Sequence, residues 1–184
     1  MRKIIWMALV WALPAMGQSA PADLRGAAGC GPANEQFHVK VDKTKHAMTQ
    51  PEAGKALVYV IVEEYPRPQG YIYIGNITTR VGLDGNWVGA NYGESYVSFA
   101  AEPGEHHLCT DWQSVLKSRQ RLSDAVDLVA EAGKTYFYRA KLWSGNVETK
   151  ERPGHDADLR LMEVDASQGM LMVSKTAASA WKKK

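Results

Sequence analysis

The chain has 184 residues, with 22 basic against 20 acidic side chains and only two cysteines. The first 17 residues hold Arg2 and Lys3 and no acid, so without them the charge is balanced. A body of that kind has no long-range field to draw in phosphate backbones, which excludes nucleic acid as an expected partner. The length suits one domain with its own core, and no internal repeat is visible.

In chain order, the first element is a leader. Arg2 and Lys3 precede an apolar run from Ile4 to Leu13, followed by the small residues around Ala15-Met16-Gly17. That is the layout of a secretory signal peptide, over residues 1–20, with cleavage expected after Gly17 or Ala20. The run is about half of what a bilayer-spanning helix needs, so no transmembrane segment is expected after processing and the location is periplasmic or secreted. Cys30 follows Ala27-Ala28-Gly29. Polar Asp23 and Arg25 separate it from the apolar run, however, and Ala27 stands where a lipoprotein box has Leu, so lipidation is not expected.

Residues 21–54 are rich in Ala, Gly, Pro and charge. They read as a loose segment with at most one edge strand, Phe37 to Val41. Lys55 to Glu63 is apolar on both strand faces, which predicts a central, covered strand and opens a sandwich domain over residues 55–174. A short strand is expected at Tyr71–Ile74. Thr78–Leu83 and Asn86–Ala90 flank Asp84-Gly85, the strongest short-range hairpin signal. Ser95–Ala101 and Glu105–Trp112 are expected to continue the meander, and the basic stretch Gln113–Asp124 to form a loop. Ala125–Ala130 and Thr135–Leu142 read as strands around Glu131-Ala132-Gly133-Lys134. At that corner Tyr136 is either a tyrosine bonded back to upstream backbone or an ordinary core aromatic. Trp143–Ala157 reads as a polar loop, Asp158–Val164 as a last strand, and Asp165 as the cap of a short helix through Val173. Residues 175–184, ending in Lys182, Lys183 and Lys184, read as a frayed basic tail. The pattern predicts an all-β fold: an immunoglobulin-like or prealbumin-like β-sandwich of about seven to nine mostly antiparallel strands, with a short C-terminal helix.

Two cysteines in an exported chain predict a Cys30–Cys109 disulfide. It would close a loop of about 80 residues and, on the chain-entropy model, contribute up to roughly 4–5 kcal/mol by pinning the N-terminal segment to the sheet. Metal binding is the competing reading, since His106 and His107 lie beside Cys109. Strand alternation puts His107 and Cys109 on one face and His106 on the other, and no second ligand pair follows. His107 and Asp84 come nearest to metal ligands without completing a set. Asp84, Asn86, Asn91 and Glu94 bracket two turns expected at one end of the sandwich, where their oxygens could hold calcium; Asp and Asn favour turns for backbone reasons alone.

The runs GKALVYVIVEE, TTRVGLDGNWVGA, EPGEHHLC and EAGKTYFYRAKL together resemble a bacterial exported family, domain of unknown function 2846, over Gly54 to Val164. Their motifs are glycine turns and β-rich runs. The resemblance implies a small envelope sandwich and brings no catalytic residues with it. The chain departs from the family's lipoprotein members in lacking a proper lipobox at Cys30.

No catalytic motif is present. Triads are assembled in space, so a hydrolase built on His106 or His107 with Glu105 or Asp111 stays open as the alternative, as does metal or carbohydrate binding. Trp87, Tyr92, Tyr96, Trp112 and Trp143 fall on or beside turns and strand ends. Grouped on one surface they would form a platform for a sugar ring or a partner protein; otherwise they close the core. The sequence thus predicts an exported non-catalytic binding or interaction module of the cell envelope. Its partner would be an unidentified protein or envelope component, and no cofactor is expected.

Overall fold

The apolar run after Lys55 becomes β2 (Ala56–Glu64), and the rest of the chain is arranged on its two faces. The computed structural model describes residues 29–44, 48–64, 77–113, 122–148 and 153–184. The expected signal peptide, the strand at Tyr71–Ile74 and residues 114–121 of the basic loop lie outside the described residues. The other strands are β1 (Phe37–Asp42), β3 (Thr78–Leu83), β4 (Asn86–Tyr92), β5 (Ser95–Ala101), β6 (Gly104–Gln113), β7 (Ser123–Ala130), β8 (Thr135–Glu148), β9 (Pro153–Val164) and β10 (Ala177–Lys183). One helix, α1 (Ala166–Lys175), precedes β10.

The fold is an all-β sandwich. A six-stranded sheet runs in the order β1-β10-β5-β2-β8-β9 and a four-stranded sheet in the order β4-β3-β6-β7. Pairing is mostly antiparallel, with β2–β8 and β10–β5 parallel. Val58, Val60 and Val62 face the smaller sheet and pack with Val81, Leu108 and Leu128. Leu57, Tyr59 and Ile61 point the other way and are covered by Met172 and Val173 of α1. The expectation of a strand covered on both sides holds because one cover is a sheet and the other a helix.

Local chemistry explains the connections. Asp84 and Gly85 both have positive φ, 50° and 78°, as the tight β3–β4 turn requires. Asp165 caps α1 by accepting from the Gln168 N–H at 2.9 Å. The helix lies flat on Phe137 because residue 169 is glycine: a Cβ there would come 2.2 Å from Phe137 Cγ. Tyr136 accepts a hydrogen bond from the Glu131 N–H at 3.0 Å, across the corner where the chain passes from β7 in one sheet to β8 in the other. Its ring also packs against the inter-sheet core, so the two readings of Tyr136 are both realised.

Four expectations need correction. β5 does not continue the β3–β4 meander; it crosses to the larger sheet between β10 and β2. At that crossing Asn91 Nδ2 donates to both Val60 O and Ser95 O at 3.1 Å, tying the end of β4 to β2 and the start of β5. Trp143–Ala157 is not a polar loop, since β8 and β9 stay paired out to Glu148 and Pro153. Backbone pairing does not need apolar side chains once an antiparallel register is set. The basic tail is not frayed: as β10 it pairs antiparallel with β1 and parallel with β5. The sandwich therefore extends beyond residues 55–174 at both ends, with ten strands among the described residues. Among the described residues no helix is long and apolar enough to cross a membrane.

Candidate functional site

The alternation of β3 and β6 sends Val81 and Leu108 inward and Arg80, Gly82, Cys109 and Asp111 to the outer face of the smaller sheet. Residues 29–37 lie across that face. The expected Cys30–Cys109 disulfide is formed, with Cα atoms 5.6 Å apart. Gly82 is the register partner of Cys109, and a Cβ there would stand 2.1 Å from Cys30 O, so only glycine lets the segment lie this close. Cys30, Phe37, Trp87, Ala90 and Cys109 form a small third core beneath it.

Polar side chains continue the attachment. Arg80 and Asp111, cross-strand partners on β3 and β6, form a buried ion pair, Nη2 to Oδ2 at 2.6 Å, with side chains 8% and 3% exposed. Arg80 Nη1 donates to Glu35 O at 2.7 Å, and its guanidinium lies 4.4 Å from the Trp87 ring centre. The indole N–H of Trp87 donates to Pro32 O at 3.0 Å. Gln113, at the end of β6, accepts from the Phe37 N–H at 2.7 Å and donates to Phe37 O at 3.1 Å.

Among the described residues this attachment presents β1 as an edge strand of the larger sheet, at the end opposite β9. His38 is opposite Lys182 and Lys40 opposite Ala180, all on one face; Val39 and Trp181 turn toward the smaller sheet and pack on the third core. An open groove of about 560 Å³ runs along the pair, lined by His38, Val39, Lys40, Ala180, Trp181 and Lys182. Nearby, Lys183 is paired with Glu35 at 2.7 Å. Sequence reading missed both the groove and the buried pair. The signals were the polar alternation of His38 and Lys40 in β1 and a lone arginine inside an apolar strand.

The histidines sit at the β3–β4 turn. His106 Nδ1 is 2.6 Å from Asp84 Oδ2, and His106 Nε2 is 2.6 Å from Glu102 O. A carbonyl and a carboxylate both accept, so the doubly protonated imidazolium satisfies this geometry best. The hydrogen bond His106 donates to Asp84 is the largest influence and raises the His106 pKa above its ordinary value. Partial burial is the largest influence on Asp84 and opposes ionisation, but hydrogen bonds from the His107 N–H and from His106 outweigh it, so the Asp84 pKa is lowered. Both nitrogens of His106 are occupied, which leaves none to accept a proton from a substrate. The ring nitrogens of His107 have no hydrogen-bond partner among the described residues, and the nearest carboxylate, Asp127, is 3.6 Å away.

The pair makes stability depend on pH in a defined direction. The His106 contribution is complete below its ordinary value of 6.5 and disappears as pH rises through its raised folded value. The Asp84 contribution is present above 3.8 and disappears as pH falls through its lowered folded value. Wild type is therefore expected to exceed His106→Gln in thermal stability most clearly around pH 5, with the gap closing in mildly alkaline solution. A gap that widened with rising pH would contradict the pairing.

The other candidates are dispersed. Trp87 and Tyr96 are buried at 7% exposure, and Trp112 packs against the inter-sheet core, so these three do not form a surface platform. Tyr92 is 41% exposed. The side chain of Trp143 lies outside the described residues. The two expected calcium turns sit at opposite ends of β4, roughly 20 Å apart on strand geometry. Asn91 is fully buried, and its amide nitrogen bonds backbone. Glu105 stays exposed, whereas Asp111 is held by Arg80. Among the described residues no three His, Cys, Asp or Glu side chains are grouped to hold a metal ion. No protein-family model, curated protein or solved structure matches the chain.

Proposed function

We propose that the chain is an exported, non-catalytic binding module of the cell envelope, and that it meets its partner through the basic face of the β1–β10 pair. The observation that carries this reading is the groove along that pair, whose lining among the described residues includes His38, Lys40 and Lys182 and no acidic residue. Export is supported by the N-terminal layout of the sequence and by a disulfide of the kind that oxidising compartments sustain. The hydrolase alternative draws no support from the geometry, because both His106 nitrogens are already bonded and the His107 ring nitrogens have no hydrogen-bond partner among the described residues.

Retention on washed native envelopes tests the reading. The mature, oxidised protein should be retained in a saturable and salt-sensitive way. A Lys40→Glu/Lys182→Glu variant of unchanged melting temperature should be retained much less. Equal retention of the two proteins, or retention of neither, would contradict the proposal.

A further inference from the structure

The backbone of residues 35–41 has two edges, and the hydrogen bonds reveal which is occupied. The Lys184 N–H donates to Gln36 O at 2.9 Å, so the even positions of this run, through His38 and Lys40, turn their amides and carbonyls toward β10. The odd positions turn theirs away. Glu35 O on that outer edge accepts from Arg80, and the Phe37 N–H and C=O are both bonded by the side-chain amide of Gln113, which occupies the place of a strand partner. Val39 and Val41 come next on the same edge. Among the described residues β1 pairs with β10 alone, so the outward amides and carbonyls of these two valines meet no strand.

A bare strand edge recruits another strand, and the side chains beside it decide which one. His38 and Lys40 stand on one face of the edge strand, with Lys182 behind His38. Asp42, the acid on that face of β1, already accepts from the Thr44 N–H and hydroxyl at 2.9 and 2.8 Å. A second copy pairing through β1 would set these basic side chains against their own counterparts, an unfavourable cross-strand arrangement. A segment with acidic residues at every second position would place its carboxylates beside His38 and Lys40 while its backbone bonds Val39 and Val41.

We infer that the open edge of β1 takes an extended, acidic segment of a partner protein as an additional strand. The inference rests on the binding reading above and names the partner's chemistry. Strand addition supplies backbone hydrogen bonds, and the alternating acids supply the selection.

The test is a titration of the oxidised mature protein with a short peptide alternating Glu and Thr, read by amide hydrogen exchange. Binding should saturate and slow exchange at Val39 and Val41. It should weaken roughly tenfold when Lys40 and Lys182 are changed to Glu. A peptide alternating Lys and Thr should not bind. Equal binding by a Glu-Thr peptide with alternate backbone nitrogens methylated, without protection of Val39 and Val41, would overturn strand addition and leave the basic face standing as a binding site. Binding to phosphatidylglycerol vesicles but to no peptide would make the occupant a lipid surface and overturn the inference. Binding to no probe would also overturn it, and the envelope-retention experiment would then decide the reading beneath it.

Discussion

Asp111→Ala should lower the unfolding free energy by about 3–5 kcal/mol, because it leaves the Arg80 guanidinium buried without its carboxylate. For a chain of this size that corresponds to a drop on the order of 10 °C in Tm. The ion pair itself need not be strongly stabilising. Desolvating both charges offsets most of their attraction, and the large effect comes from breaking the pair on one side only. Arg80→Met combined with Asp111→Leu should therefore recover part of the loss. Recovery should be incomplete, since Arg80 also donates to Glu35 O and stacks on Trp87. Urea denaturation of the three variants checks the order. An Asp111→Ala protein within about 1 kcal/mol of wild type would show that the pair is solvated, against its burial.

Removing the disulfide through Cys30→Ser/Cys109→Ser should lower stability by about 2–5 kcal/mol. The bond closes a separation of 79 residues, so the unfolded chain gains most of the freedom that a crosslink of this span removes. The loss should also be uneven. Val58, Val60, Val81 and Leu108 pack without help from residues 29–37, whereas Cys30, Phe37, Trp87 and Cys109 form the small core that the segment covers. The sheet signal should survive while Trp87 fluorescence shifts toward that of a wetter indole. Equal stability of the oxidised protein and the serine variant would show that the polar attachments alone hold the segment.

The elements most legible in the sequence were those whose signal is local. Asp84-Gly85 demands positive φ, Asp165 offers a capping oxygen, and Lys55–Glu63 is apolar on both faces; each formed as read. What local pattern did not encode was the partner of each strand. The alternation in Ser95–Ala101 suits either sheet, and the choice is made by Asn91, whose amide bridges Val60 and Ser95 across the crossing. The tail Ala177–Lys183 has too little apolar character to announce a strand, yet Trp181 meets Phe37 edge-on with ring centres 5.3 Å apart, and β1 supplies the pairing. The contacts of β10 with β1 join residues more than a hundred positions apart, which no window of sequence displays.

The site followed the same division. The disulfide could be counted from two cysteines, but its consequence could not. Cys30 brings residues 29–37 over Gly82 and Arg80, and Gln113 then takes up the edge of Phe37, while Val39 and Val41 meet no strand on that edge among the described residues. The aromatic residues pointed elsewhere because turn position was a poor guide to exposure: Trp87 lies beside a turn and is buried, since the N-terminal segment folds over it.

The N-terminal segment is, on this account, an integral layer of the fold that presents β1 as an edge. Native-state hydrogen exchange at the Phe37 amide, in the oxidised protein, tests this most directly. That amide donates to Gln113 Oε1 on the other sheet, so it should exchange on the order of a hundredfold or more slowly than in a free chain. Exchange at the free-chain rate, while the amides of β2 stay protected, would contradict the account.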